Sequence, residues 1–355
     1  MPAKGYVFDG VKWRGLQGIG DEDVPLDPFI LGSTKPSAAN TGLTGATPTV
    51  ITAADTVYNT DQTVSDTRFE GNVRTENASV TFDNCDFAGK NVPTGNHFCR
   101  ALYTTPNAAK VTTFNRCKFY PRYWDAADGA DGPRGGIMGT KMVINRCDIS
   151  GLTDGLGFAA QSATPTDITL TGNYIHDLWF TSPDSEHTSD GSHADGAQGH
   201  QFLQNLTIRG NTIEGIVLDT LANSQAQYPP VYSGSTLIDG NGWYNDYFSQ
   251  WNGIYAYPLW ATSALLFGRS GTGGGLTNVV IDQNWLDGGG YAMININPGY
   301  TNANSSGIQI TNNRIGARNR DGYVLICSSS LTSALTFTGN VYEATGTPAN
   351  TRRNG

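Results

Sequence analysis

Charged side chains are scarce in this 355-residue chain, at 15 %, where an ordinary soluble domain carries about 25 %. A helical bundle or coiled coil, built on Glu, Lys and Arg, is thereby excluded. Basic residues are scarcer still. The 22 Lys and Arg against 31 Asp and Glu leave a formal charge of -9, with no local basic cluster to oppose it, so nucleic acid is not an expected partner. No run approaches the roughly 18 apolar residues of a membrane span. The opening Met-Pro-Ala-Lys-Gly-Tyr lacks the apolar stretch of a signal peptide, so synthesis in the cytosol is expected. The five cysteines, Cys85, Cys99, Cys117, Cys147 and Cys327, are odd in number and show no close pairs of the zinc-ribbon or redox kind. Reduced thiols are the expectation.

What the chain has in abundance is Gly (44), Thr (40) and Asn (29), a vocabulary of strands and turns. These residues fall into a repeat. Eight nine-residue strings obey one rule: SVTFDNCDF from Ser79, VTTFNRCKF from Val111, KMVINRCDI from Lys141, DITLTGNYI from Asp167, NLTIRGNTI from Asn205, NVVIDQNWL from Asn278, GIQITNNRI from Gly307 and ALTFTGNVY from Ala334. Their second, fourth and ninth places are apolar or Thr. The seventh holds Cys85, Cys117, Cys147, Asn173, Asn211, Asn284, Asn313 and Asn340 in turn. Successive seventh places lie 32, 30, 26, 38, 73, 29 and 27 residues apart. The period is therefore near thirty, with one double-length gap in which a ninth coil around Asn241 would fit.

Alternation within each string describes a strand that sends every second side chain inward, with the Cys or Asn where the chain turns. Shorter strands led by small residues precede many copies, among them RALYT at Arg100, GGIMG at Gly135, DGLGF at Asp154, DGAQG at Asp195, SALLF at Ser263 and DGYVL at Asp321. Two or three strands per coil predict an all-β fold, a single-stranded parallel β-helix. Equivalent residues then stack from coil to coil, and the Asn series becomes a ladder whose amides bond along the stack.

These strings resemble the right-handed parallel β-helix proteins of actinobacteria and their phages. SAANTGLTG from Ser37, GSHADGAQ from Gly191 and NVVIDQNWLDGGGYAM from Asn278 are similar to recurring elements of that group. The likeness departs from the group's pattern at Ala197, where the related sequences carry Ile. FDGVKWRG at Phe8 and VPLDPFILGS at Val24 resemble the short leader of phage minor tail proteins. The resemblance implies a leader over 1–36 that attaches to other tail proteins, a right-handed β-helix over 37–346 with an insertion at about 216–262, and a C-terminal tail over 347–355. It also implies a homotrimer in the virion tail, with secretion as the alternative, and host cell-envelope glycan as the partner. Fold alone does not decide activity, because one β-helix hosts adhesins, lyases and hydrolases.

Chemistry concentrates between His176 and His200, which hold four of the five histidines among many carboxylates. Asp190, His193 and Asp195 approach one strand from one loop, and Asp154 stands before its strand as Asp195 does one coil later. These four are the candidate catalytic residues of a polysaccharide lyase or glycoside hydrolase. Asp190, His193 and Asp195 are also candidate ligands for a divalent cation such as calcium. Two stacked carboxylates repel unless they share a proton or a cation. The competing reading is structural, since Asp-Gly is a common turn dipeptide that recurs at Asp321-Gly322. No Lys or Arg lies within the loop to neutralise a uronate, which weighs against a lyase. The long gap carries an aromatic run in which Tyr232, Trp243, Tyr247, Trp251, Tyr255 and Trp260 are candidate contacts for glycan or a neighbouring subunit; a small core of its own is the alternative. GTGGGL at Gly271 lacks the Lys of a phosphate loop and is read as a turn.

Overall fold

A computed structural model describes residues 34–45, 48, 50–52, 54–88, 99–102, 109–120, 135–160, 166–178, 194–215, 261–269, 274–319 and 322–354, together with two short hairpins. The hairpins pair Tyr6–Phe8 with Trp13–Gly15 and Val231–Ser233 with Thr236–Asp239. Among the described residues all other strand pairings are parallel, apart from an isolated antiparallel bridge between Val341 and Pro348, and one 3-10 turn spans Ser329–Leu331.

The chain winds in coils of three short strands, and each strand pairs with its counterparts one coil before and one coil after. In the coil at the middle of the chain the first face is Asp154–Ala160, the second Ile168–Thr171 and the third Tyr174–His176. These pair with Asp195–Arg209 on the first two faces and with Thr212–Gly215 on the third. Long all-parallel sheets therefore run the length of the solenoid. The nine-residue strings are the second and third faces, and the short strands led by small residues are the first.

Nine coils are complete among the described residues, from Thr56–Tyr58 to Val341–Tyr342. The ninth is not in the double-length gap. Arg209 pairs directly with Asp282 and Thr212 with Trp285, so 216–260 leaves and re-enters between adjacent coils. The additional coil lies at the beginning, where Gln62–Ser65 and Thr67–Phe69 pair in register with Val80–Asp83 and Asp86–Phe87. Its string, DQTVSDTRF from Asp61, carries Thr67 at the seventh place. Beyond Tyr342, Arg352–Asn354 adds one more strand to the first face by pairing with Leu325–Cys327.

The period-2 pattern fills the lumen. Fourth-place Phe82, Phe114, Ile144, Leu170, Ile208, Ile281 and Ile310 and ninth-place Phe87, Phe119, Ile149, Ile175, Ile213, Leu286 and Ile315 are all buried, each contributing about 1.5–3 kcal/mol. In the early coils the phenylalanines stack along the axis: Phe82 on Phe114 at 5.3 Å between ring centroids and Phe87 on Phe119 at 4.5 Å.

The turn from second to third face is the same in every coil. Its sixth-place residue is left-handed throughout, with φ of 50° at Asp66, 53° at Asn84, 50° at Arg116, 55° at Arg146, 64° at Gly172, 65° at Gly210, 57° at Gln283, 56° at Asn312 and 69° at Gly339. The seventh-place residues form the expected ladder. Asn211 Oδ1 accepts from the Asn173 amide at 2.9 Å and from Asn173 Nδ2 at 2.8 Å, while Asn211 Nδ2 donates back to Leu170 O at 3.1 Å and on to Asn284 Oδ1 at 3.0 Å. The pattern repeats through Asn284, Asn313 and Asn340. Cys85, Cys117 and Cys147 continue the column as buried free thiols.

One segment lies outside the coils. Lys35 pairs with Glu343 at 3.1 Å, the Gly42 amide bonds Arg146 O at 2.8 Å, and the Thr44 amide bonds Asn84 Oδ1 at 2.7 Å. Residues 35–44 thus run along the outside of the solenoid against the order of the coils. Gly42, with φ of 71°, comes so close to Asp148 that an added Cβ would meet Asp148 Cβ at 2.9 Å, which fixes glycine there. Eighth-place Asp148, Thr212, Trp285 and Arg314, which the strand period points outward, are buried, Asp148 directly beside Gly42 of the strap.

Candidate functional site

Connections of uniform length at one corner leave the variation to the other two. Segments 89–98, 121–134, 179–193 and 216–260 all depart where the third face turns into the first, and 103–108, 161–165 and 270–273 lie where the first turns into the second. Both corners border the first face. Its outer surface is therefore a floor between two rows of connections, set on successive coils by Met138, Gly157, Gln198, Leu266 and Asn295 in register. Glycines keep the floor low. A Cβ on Gly157 would meet Met138 Cε at 3.0 Å, and one on Gly268 would meet the imidazole of exposed His200 at 2.7 Å.

Two of the residues expected to carry chemistry, Asp154 and Asp195, fall at the edge of this floor. Asp154 and Asp195 occupy the same register on adjacent coils, and the Asp195 amide donates to Asp154 Oδ1 at 3.1 Å. Asp195 is fully buried, and its carboxyl oxygens make no hydrogen bond of good geometry, the Ser263 amide on the next coil being turned toward them. Burial, then the charge of Asp154, holds its pKa well above the usual carboxylate range, with the Ser263 amide acting in the opposite direction. Asp190 and His193 lie outside the described residues, as do Trp243, Tyr247, Trp251, Tyr255 and Trp260. Tyr232 sits on the first strand of the Val231–Ser233 hairpin. The structure thus brings together two of the four catalytic candidates, one of them closed to solvent. Among the described residues no group of three or more His, Cys, Asp or Glu is placed to hold a metal.

A second titratable cluster lies on the outer surface of the third face. His176 is held between Asp148 Oδ1, 2.9 Å from Nε2, and Asp177 Oδ2, 2.7 Å from Nδ1, and its ring stacks on Tyr174 at 3.8 Å. Burial alone would lower the pKa of this imidazole. The hydrogen bonds and charges of the two carboxylates outweigh it and raise the pKa to about 9. Burial raises the pKa of Tyr174 as well, followed by the charge of Glu214. On the next two coils Glu214 and Asp287 pair in register, and Arg318 spans them at 3.3 and 2.7 Å. Burial pushes Glu214 up while Arg318 opposes it. The sequence held a signal for this cluster that the nine-residue strings cut off. The residue after each string reads Ser150, His176, Glu214 and Asp287 on four successive coils.

Comparison of the chain with protein families, with curated proteins and with solved structures finds no match.

Proposed function

We propose that this chain is a spike-like component of a phage tail, a right-handed parallel β-helix that binds host cell-surface glycan along its first face. The observation that carries the reading is the distribution of connections: they vary freely at the two corners bordering one face and are constant at the third corner. In solenoids the connections that vary map to the binding face, and an extended polymer suits a floor that runs the length of a rod. The aromatic-rich 216–260 segment departs at one edge of that floor, and flat amphipathic rings suit sugar faces. Right-handed winding follows the strong preference of parallel strand connections. Assignment to a tail, with a leader that joins other tail proteins and three chains per spike, rests on the resemblance of the sequence strings. The test is binding of the purified chain to immobilised cell-envelope polysaccharides from a panel of actinobacteria. Saturable binding to a subset, weakened when Gln198 and Leu266 are replaced by Glu, supports the reading. Absence of binding across the panel and to whole cells overturns it.

A second reading, a polysaccharide-degrading enzyme, is favoured by Glu214 and Asp287. Their backbone positions on adjacent strands lie about the 4.8 Å strand spacing apart, which lets their carboxyl groups reach the roughly 5 Å separation of a retaining glycosidase. New reducing ends released from a bound polysaccharide, and lost in Glu214→Gln, would establish it.

A further inference from the structure

Three coils meet at the corner between third and first faces with oxygen atoms buried and unsatisfied. Asp154, Asp195 and Ser263 share one register on successive coils, so they stack at about the 4.8 Å strand spacing. Both carboxyl oxygens of Asp195, the Oγ of Ser263 and the Oγ1 of Thr153, the residue before Asp154, are buried and make no hydrogen bond of good geometry. Asp195 and Ser263 are 0 % exposed and Thr153 1 %.

The same solenoid pairs the buried amides of Asn173, Asn211, Asn284 and Asn313 from coil to coil, so an unsatisfied set on successive coils needs an occupant. Buried polar groups without partners mark the place of a water or an ion. Two carboxyl groups and two hydroxyls, all oxygen, with Asp195, Ser263 and Thr153 buried and Asp154 half-buried, are the chemistry of a hard cation. Calcium accepts irregular sets of oxygens, including carbonyls and waters, whereas magnesium demands a near-ideal octahedron. Two stacked carboxylates also supply the charge that one divalent ion neutralises.

We propose that Asp154 and Asp195, with the hydroxyls of Ser263 and Thr153, bind a calcium ion across three successive coils. The position gives the ion a task. Asp195 lies just after segment 179–193 and Ser263 just after 216–260, so the ion clamps the roots of both connections to the rod. This site stands whether or not the first face binds glycan.

The experiment uses the full chain, stripped with EDTA and dialysed. Calorimetric titration with calcium chloride is expected to show one ion per chain, and thermal unfolding is expected to shift upward with calcium and less with magnesium. Asp195→Asn removes the heat and the calcium-dependent shift. Its stability without calcium equals or exceeds that of the stripped parent, because one of two stacked acids is gone. Ser263→Ala, a milder change, weakens calcium affinity several-fold. A parent chain with no heat and no shift, or a calcium response intact in both Asp195→Asn and Asp154→Asn, overturns the site. Polysaccharide binding measured on the same stripped sample keeps the two proposals apart, since binding retained without any calcium response overturns the ion alone.

Discussion

Between second and third faces every coil turns within two residues, and between third and first faces the connection ranges from Gly151–Thr153 to the whole of 216–260. The third-face strands border both corners, so the difference lies in how the turns are held. At the constant corner a left-handed sixth residue is followed by a side chain that bonds to the coils on either side. Each turn is there the partner of the next, and a longer one would leave two neighbours unsatisfied. At the variable corner backbone hydrogen bonds close the coil without passing through the connection, as where the Ala261 amide bonds Gly215 O at 3.0 Å across 216–260. Repetition and variation are thereby separated onto different edges of one rod.

The constant corner is itself built in two chemistries. Coils with Asn use the amide as acceptor and double donor. In the coils with Cys, the Cys117 amide points at Cys147 Sγ at 3.4 Å, and the Cys117 thiol points at Phe82 O at 3.5 Å, the carbonyl position that Asn211 Nδ2 reaches in its own coil. A thiol is a weak donor and acceptor, and the coils of Cys85 and Cys117 bury stacked phenylalanines where that of Cys147 buries Ile144 and Ile149. The two series join where the Cys147 amide bonds Asn173 Oδ1 at 2.8 Å.

The largest effect is expected from breaking the Asn side of this contrast. Asn211→Leu strips partners from the Asn173 amide, Asn173 Nδ2 and Leu170 O, and at about 1–3 kcal/mol for each buried unpaired group it should destabilise by about 3 kcal/mol or more in urea unfolding. An unchanged midpoint would show that the ladder is not what holds the turn.

The third-face cluster gives a pH test. Because His176 has its pKa raised from 6.5 to about 9, its contribution is complete below pH 6.5 and disappears as pH rises through 9. It amounts to on the order of 2 kcal/mol once the exposure of Asp177 is allowed for. Melting temperature should fall across pH 6.5–9 in the parent and fall less in His176→Gln. Parallel curves would remove the ion pairs from the account.

Gly210→Val places a β-branched residue at φ of 65° and should destabilise by about 1–2 kcal/mol, visible as a lowered melting temperature. Cys117→Ser should change stability by about 1 kcal/mol or less. A loss as large as that of Asn211→Leu would mean that the thiols bond as strongly as the amides.

Much of this was legible in the sequence, and the exceptions have physical causes. The second, fourth and ninth places announced the lumen because burial enforces them, and the seventh announced the ladder because only Asn and Cys recur there. The first coil escaped because Thr67 stands in the ladder column, where the shorter spacing to Cys85 also hides it. The double-length gap suggested a coil because period alone cannot tell a coil from an excursion; the pairing of Arg209 with Asp282 can. SAANTGLTG reads like part of a coil, yet it supplies the strap, because its contacts with Arg146 and Asn84 are made across the coils and leave no periodic trace. The stacking of Asp154 on Asp195 followed from the repeat, whereas the closure of Asp195 to solvent did not, since burial at a corner depends on neighbouring coils.

The most direct test of the division between a constant, structural corner and a variable, functional one is to remove the largest excursion. Because Gly215 and Ala261 already meet across it, replacing 218–259 by a short Gly-Ser linker should leave the melting temperature within a few degrees of the parent while abolishing or greatly weakening polysaccharide binding. A chain that fails to fold would show the excursion to be core, and a folded chain that binds polysaccharide as the parent does would contradict the assignment of function to that edge.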